Sequence, residues 1–153
     1  PRCFVFSTNE TRKKMKITIG SDHAGVDYKS EIVEFLEKEK HEVLDVGTFS
    51  KESVDYPDFA HLVSKEVLAD SDFGVLICGS GNGVSMAANK HKGIRAALCW
   101  NEEITKLARQ HNDANVISIP ARFLSLEKSI ELIKVFSKTN FDGGRHERRV
   151  KKI

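Results

Sequence analysis

Apolar and polar positions along this chain switch repeatedly between two periods. Lys16–Ser21 (KITIGS) is a short run with β-branched residues, the composition of a strand. After it, Tyr28, Ile32, Phe35 and Leu36 recur at i, i+4, i+7 and i+8 between acids and lysines, which predicts an amphipathic helix. Glu42–Val46 predicts a second strand, closed by Gly47. Phe59, Leu62, Val63 and Val67 mark a second helix that starts at Asp55-Tyr56-Pro57. Phe73–Cys78 (FGVLIC) is continuously apolar, the type of strand covered on both faces of a parallel sheet. A glycine-rich turn, Gly79–Gly83, leads into a third helix ending near His91, and Ile94–Cys99 predicts a fourth strand. Asn101, followed by Glu102 and Glu103, reads as the N-cap and acidic first turn of a fourth helix. Asn115–Ile119 predicts a fifth strand, and a fifth helix runs from Ser125 to about Lys138, broken by Phe141–Gly144.

Five alternations of strand and helix predict an α/β fold, an open parallel sheet with helices on both faces. Right-handed crossovers then bring every strand C-terminus to one edge, where ligands bind. Met15 directly precedes the first strand, so residues 15–153 are expected to form a single domain. Residues 1–14 read as a non-functional leader or extension.

Composition narrows the class. With 40% hydrophobic and 30% charged residues, the chain of 153 residues is neither disordered nor fibrous. No apolar run approaches the ~20 residues of a membrane span, and Phe4-Val5-Phe6 is too short for a signal-peptide core. The Asn9-Glu10-Thr11 sequon is therefore read as chance. Three widely spaced cysteines do not make a disulfide scaffold, and the expectation is a soluble cytoplasmic protein with reduced thiols. The 24 basic and 22 acidic residues give a net charge of +2, but they are segregated. Residues 1–14 carry +3, residues 145–153 carry +4, and the stretch between them carries −5. An acidic body argues against a protein that coats nucleic acid, and leaves the basic C-terminal cluster to be explained locally.

Candidate chemistry concentrates at a few places. The first strand ends in Gly20-Ser21-Asp22-His23-Ala24-Gly25, where Asp22 is either a helix N-cap or part of a site. The third ends in Cys78-Gly79-Ser80-Gly81-Asn82-Gly83. Three glycines in five residues allow close backbone approach to a ligand and an inward-facing nest of N–H groups. It is neither a Walker A sequence nor G-x-G-x-x-G. Cys78 reads either as a small core thiol or as a reactive one, a helix N-terminus favouring the thiolate; Cys3 and Cys99 read as core thiols. His111 continues the apolar stripe of the fourth helix, yet Arg109-Gln110-His111-Asn112-Asp113 crowds more polar groups than a core role requires. Ala121-Arg122 follows the fifth strand. Arg145 and Arg149 stand at i, i+4, on one face if helical, a pair suited either to a phosphate or to solvent. No zinc spacing, acidic magnesium cage or G-x-S-x-G elbow is present, so no metal is expected.

Six ordered blocks together carry a resemblance: GSDHAG at 20–25, DYPDFA at 55–60, ICGSGNG at 77–83, ANKHKGIRAA at 88–97, RQHNDANV at 109–116 and GGRHERRV at 143–150. They resemble the type B ribose-5-phosphate isomerases, in the family that also holds galactose- and allose-6-phosphate isomerases, from about Lys16 to Ile153. The resemblance implies a Rossmann-like three-layer α/β/α sandwich with a five-stranded parallel sheet. It also implies a homodimer or dimer of dimers with pockets at the subunit interface, and interconversion of D-ribose 5-phosphate and D-ribulose 5-phosphate without a cofactor. By the same resemblance Cys78 moves the proton between C2 and C1, and His111 opens the furanose ring. Asp22, His23, Tyr56, Gly79, Ser80, Gly81, Asn82, Gly83 and Asn112 bind the sugar, and Arg122, Arg145 and Arg149 hold the phosphate. Val84 stands where another branch places a catalytic glutamate, so the chain resembles the cysteine branch. Two other readings remain: an isomerase of a six-carbon sugar phosphate, and a non-catalytic phospho-sugar-binding module. A nucleic-acid partner and a membrane are both disfavoured. Trp100 is left open between pocket and interface.

Overall fold

The computed structural model describes residues 13–153. Cys3, the Asn9 sequon and most of the leader lie outside the described residues. Five strands, β1 (Lys16–Ser21), β2 (Glu42–Asp45), β3 (Phe73–Cys78), β4 (Ala96–Leu98) and β5 (Val116–Pro120), form one sheet in the order β2-β1-β3-β5-β4. Every pairing is parallel. The helices are α1 (Val26–Lys38), α2 (Tyr56–Ala69), α3 (Asn82–Ala88), α4 (Glu102–Gln110), α5 (Leu126–Lys138) and the short α6 (Arg145–Val150). No helix among the described residues is long and apolar enough to cross a membrane.

The two-residue period of the strands sorts the core into two layers. Ile17, Ile19, Phe73, Val75, Ile77, Ile117 and Ile119 face one way, against Ile32 and Leu36 of α1 and Leu132, Ile133 and Phe136 of α5. Leu76, Cys78 and Val116 face the other, against Ala60 and Val63 of α2 and Val84 and Ala88 of α3. Each fully buried branched side chain contributes about 1.5–3 kcal/mol. Gly74 belongs to the second layer for a steric reason. A Cβ there would stand 2.6 Å from Val63 and 2.9 Å from Val67, so its absence lets α2 lie close on β3.

The expected α/β/α architecture is thus present, with shorter elements at two places. β4 spans only Ala96–Leu98, and α3 stops at Ala88. Asn89, the C-cap of α3, ties that helix end to the first residue of β4: its amide donates to Ala96 O at 3.0 Å and accepts from Ala96 N at 2.7 Å.

The helices after β1 and β3 lie on opposite faces, because α1 belongs to the first layer and α3 to the second. That makes the gap between the carboxyl ends of these adjacent strands the topological switch point of the sheet, where open α/β folds bind ligands.

Candidate active site

β1 and β3 deliver Asp22 and Cys78 to that switch point. The Cys78 thiol donates to Asp22 Oδ2 at 3.1 Å, and both residues are buried. Asp22 Oδ1 accepts from Ala24 N at 2.9 Å and caps the 3₁₀ turn His23–Gly25. Capping therefore uses one carboxylate oxygen of Asp22 and leaves the other to the Cys78 thiol. The thiol differs from the sequence expectation. Burial pushes Cys78 above its ordinary value, and Asp22 pushes it further by accepting its hydrogen bond and by its negative charge. The backbone amides of Gly81 and Gly79 pull the other way without prevailing. The resting group is a thiol hydrogen-bonded to a carboxylate. The nest alone does not set its state, because the nearest charge comes from a different strand.

The nest itself is sterically specified. Gly81 adopts φ +75°, a left-handed conformation, and its carbonyl accepts from the hydroxyls of both Ser85 and Ser118 at 2.8 Å. A Cβ on Gly83 would stand 2.5 Å from the Tyr56 ring, so Tyr56, the first residue of α2, lies flush against the start of α3. Ser80 is exposed and its Oγ accepts from Asn82 N at 3.3 Å. Arg122 follows β5. Its N–H donates to Gly79 O at 3.1 Å, and its guanidinium covers Gly79, whose added Cβ would meet Arg122 Nε at 3.1 Å. His23 Nδ1 accepts from Val54 N at 3.2 Å. Asp22, His23, Tyr56, Cys78, Gly79 through Gly83 and Arg122 thus share one edge.

Lys29 and Asp45 support this edge and were not singled out in the sequence. The fully buried Lys29 ammonium sits 2.6 and 2.8 Å from the Asp45 carboxylate, which also accepts from Gly47 N at 2.9 Å. The loop fixed in this way bonds the end of β1: Ser21 N donates to Gly47 O at 2.8 Å, and Thr48 N to Ser21 O at 2.9 Å. A lysine inside an apolar helix stripe was the available signal.

The remaining candidates sit elsewhere. His111 is the C-cap of α4, on the way into β5. Cys78 pairs in register with Pro120, and β5 begins at Val116, so about 13 Å of strand separates the two sheet edges at ~3.3 Å per residue. His111, Asn112, Arg145 and Arg149 therefore gather at the amino edge. Asp142 N donates to Gln110 O at 3.0 Å and anchors the segment before α6 to the end of α4. His146 then stacks on His111 with ring centroids 4.2 Å apart and planes 11° apart. Arg145 and Arg149 are exposed on α6, and Lys151 pairs with Glu147 at 3.2 Å. The His146 imidazole is held below its ordinary value by lost hydration, then by His111 and the two arginines.

His111, Asp142 and His146 bring potential metal-ligand atoms within 4.8 Å of one another. Imidazole lone pairs lie in the ring planes, and nearly parallel planes do not converge on one ion. The arrangement is a stacked pair rather than a preformed metal cage. Trp100, just past β4, is half exposed on the single chain.

The sequence profile of the Ribose/Galactose Isomerase family matches residues 17–153. The chain belongs to that family. Ribose-5-phosphate isomerase B of Escherichia coli (strain K12) is 43% identical over 139 residues, covering 90% of this chain and 93% of that one. The solved ribose-5-phosphate isomerase B of Clostridium thermocellum is 47% identical and superposes with a TM-score of 0.89, over 90% of this chain and 94% of that one. That of Mycoplasma genitalium, solved with bound ribulose-5-phosphate, is 46% identical with a TM-score of 0.86, over 90% and 92%. Family membership accounts for the six sequence blocks and for the parallel five-stranded sheet alike.

Proposed function

We propose that the protein interconverts D-ribose 5-phosphate and D-ribulose 5-phosphate in a site built from two copies of the chain. The observation that carries this reading is the buried Cys78–Asp22 pair opening onto the glycine nest at the switch point.

The carboxyl edge supplies the proton-transfer chemistry. A C–H beside a carbonyl is a weak acid, so the barrier falls only if the enediolate is stabilised. Amides of the Gly79–Gly83 turn are suited to that oxyanion. Cys78, as thiolate, takes the proton from C2. The electron pair moves to form the C1–C2 double bond and the carbonyl oxygen O1 takes the negative charge; the O2 hydroxyl proton then passes to O1, and the thiol returns its proton to C1 as the C2 carbonyl forms. Asp22, whose Oδ2 accepts the thiol's hydrogen bond at 3.1 Å, is the group placed to take its proton when the carbonyl end of the substrate enters.

Ring opening and phosphate binding require the groups of the amino edge. A chain cannot fold its own amino edge onto its carboxyl edge across about 13 Å of packed sheet. A second copy therefore brings His111, Asn112, Arg145 and Arg149 to the first copy's Cys78. Imidazole suits a proton relay near neutrality. Two guanidiniums at i, i+4 suit a phosphate dianion, whose binding energy orients the sugar.

Side-by-side turnover of ribose 5-phosphate and allose 6-phosphate tests the substrate. The expected outcome is a kcat/KM at least about a hundredfold higher for the five-carbon sugar, a loss of ~3 kcal/mol for the larger one. A preference for the six-carbon sugar would overturn this assignment while leaving the reaction class intact.

A further inference from the structure

Two arginines converge on the turn that follows His111. α4 closes with His111 N donating to Leu107 O at 2.9 Å and Asp113 N to Arg109 O at 3.2 Å, and Asp113 itself adopts φ +46°. Left-handed backbone is costly for most residues with a side chain, and although Asp bears it more easily than most, its surroundings here also hold it. Here the surroundings are Arg95, just before β4, and Arg109, in the last turn of α4. Arg109 Nη1 donates to Asp113 Oδ1 at 2.9 Å and to Ala114 O at 2.6 Å, and its Nε donates to Thr139 O at 3.0 Å. Arg95 Nε donates to Asn112 O at 3.1 Å and to Asp113 O at 2.9 Å, and its Nη2 reaches Asp113 Oδ2 at 3.5 Å. The carbonyls of residues 112, 113 and 114 and both oxygens of one carboxylate are thus held by two guanidiniums. Their side chains are only 22% and 19% exposed, so solvent competes weakly for these bonds.

We propose that Asp113, gripped by Arg95 and Arg109, is the positioning residue that presents His111 to the site. A helix stop alone would need only glycine, which reaches left-handed backbone without a carboxylate. The carboxylate adds orientation. It ties the turn to two elements at once, and so fixes where the imidazole two residues earlier points. The inference rests on ring opening by His111, as read above.

Asp113→Asn tests it, since asparagine tolerates left-handed backbone and lacks the charge. Asp113→Gly is the second variant, free of backbone strain. Two reactions separate positioning from support of the whole molecule. Turnover of ribose 5-phosphate requires its furanose ring to open. Exchange of the C1 proton of ribulose 5-phosphate with deuterium oxide does not, because its O5 is esterified and no furanose forms. Both variants are expected to lose about tenfold or more in kcat on ribose 5-phosphate, with KM within about threefold, while C1 exchange stays within about twofold. Equal loss of both reactions, loss of neither, or failure of both variants to fold would overturn the inference. Absence of exchange in the unmodified protein would instead strike the enediolate reading beneath it.

Discussion

The two edges of the sheet carry the same kind of chemistry in opposite physical states. At the carboxyl edge Asp22 and Cys78 are buried, and the nest is pinned by two serine hydroxyls and covered by Tyr56. At the amino edge His111 is partly exposed, Arg145 and Arg149 stand in solvent, and α6 buries none of its residues. One edge is finished within a single chain. The other has an ordered base, the Arg95–Asp113–Arg109 grip, beneath cations that nothing yet covers. The pocket proposed above would join these two halves from different chains, because a single chain holds them on opposite sides of its sheet.

The largest effect is expected at the finished edge. Cys78→Ala should lower kcat by about a thousandfold or more, the range for a lost general base, with thermal unfolding nearly unchanged because only one sulfur leaves the α2/α3 layer. Steady-state turnover and a melting curve on the same sample check both halves. A variant retaining a tenth of the activity would remove Cys78 from the mechanism and leave the comparison without its first member.

At the open edge, reversing charge should act on binding. Arg145→Glu with Arg149→Glu is expected to raise KM for ribose 5-phosphate by about a hundredfold, ~1.4 kcal/mol or more for each charge-assisted contact. The melting temperature should move little, since both side chains are exposed. An unchanged KM would make α6 a solvated tail.

A smaller effect concerns the resting thiol. Asp22→Asn removes the negative charge that helps to raise Cys78, so its pKa should fall and its alkylation by iodoacetamide near neutral pH should quicken, by about three- to tenfold. Peptide mapping separates it from Cys99, whose thiol burial pushes up to about 11. Slower alkylation would mean that Asp22 activates the thiol in the empty site.

The smallest lies away from both edges. His61 and His91 join α2 to the end of the α3 segment through a ring N···N contact of 2.6 Å. Lost hydration, then His61, then Lys65 hold His91 below its ordinary value. A group whose folded pKa is depressed contributes its stability fully above the unfolded value, near 6.5, and loses it as pH falls through the folded value. The melting temperature should therefore drop by a further ~2 °C or less as pH falls below about 6.5, and His91→Gln should flatten that part of the profile. The same slope in the variant would assign it to carboxylates elsewhere.

Much of this was legible in the sequence. The run Phe73–Cys78 announced a central parallel strand because it is apolar at every position, and the glycine turn behind it announced a nest. The ends of β4 and α3 were not legible. They are tied together by the Asn89 amide bonding across to Ala96, a tertiary contact that no local period records. Nor was the state of Cys78, which is set by a carboxylate 56 positions away. The polar crowd at Arg109–Asp113 was visible, but the grip on Asp113 needs Arg95 from another element. The separation of His111 from Cys78 followed in principle from right-handed crossovers, since α4 runs back from the carboxyl edge; only the register of β3 on β5 gave it a length.

The composite site is tested most directly by mixing two inactive chains. Cys78→Ala spoils one half-site and His111→Ala the other. In a mixed dimer, one of the two pockets then combines an intact Cys78 with an intact His111. Random reassortment of equal amounts should restore about a quarter of the unmodified activity, since half the dimers are mixed and each carries one good pocket. Recovery to that level is the expected result; a mixture no more active than its two components would contradict a pocket shared between chains.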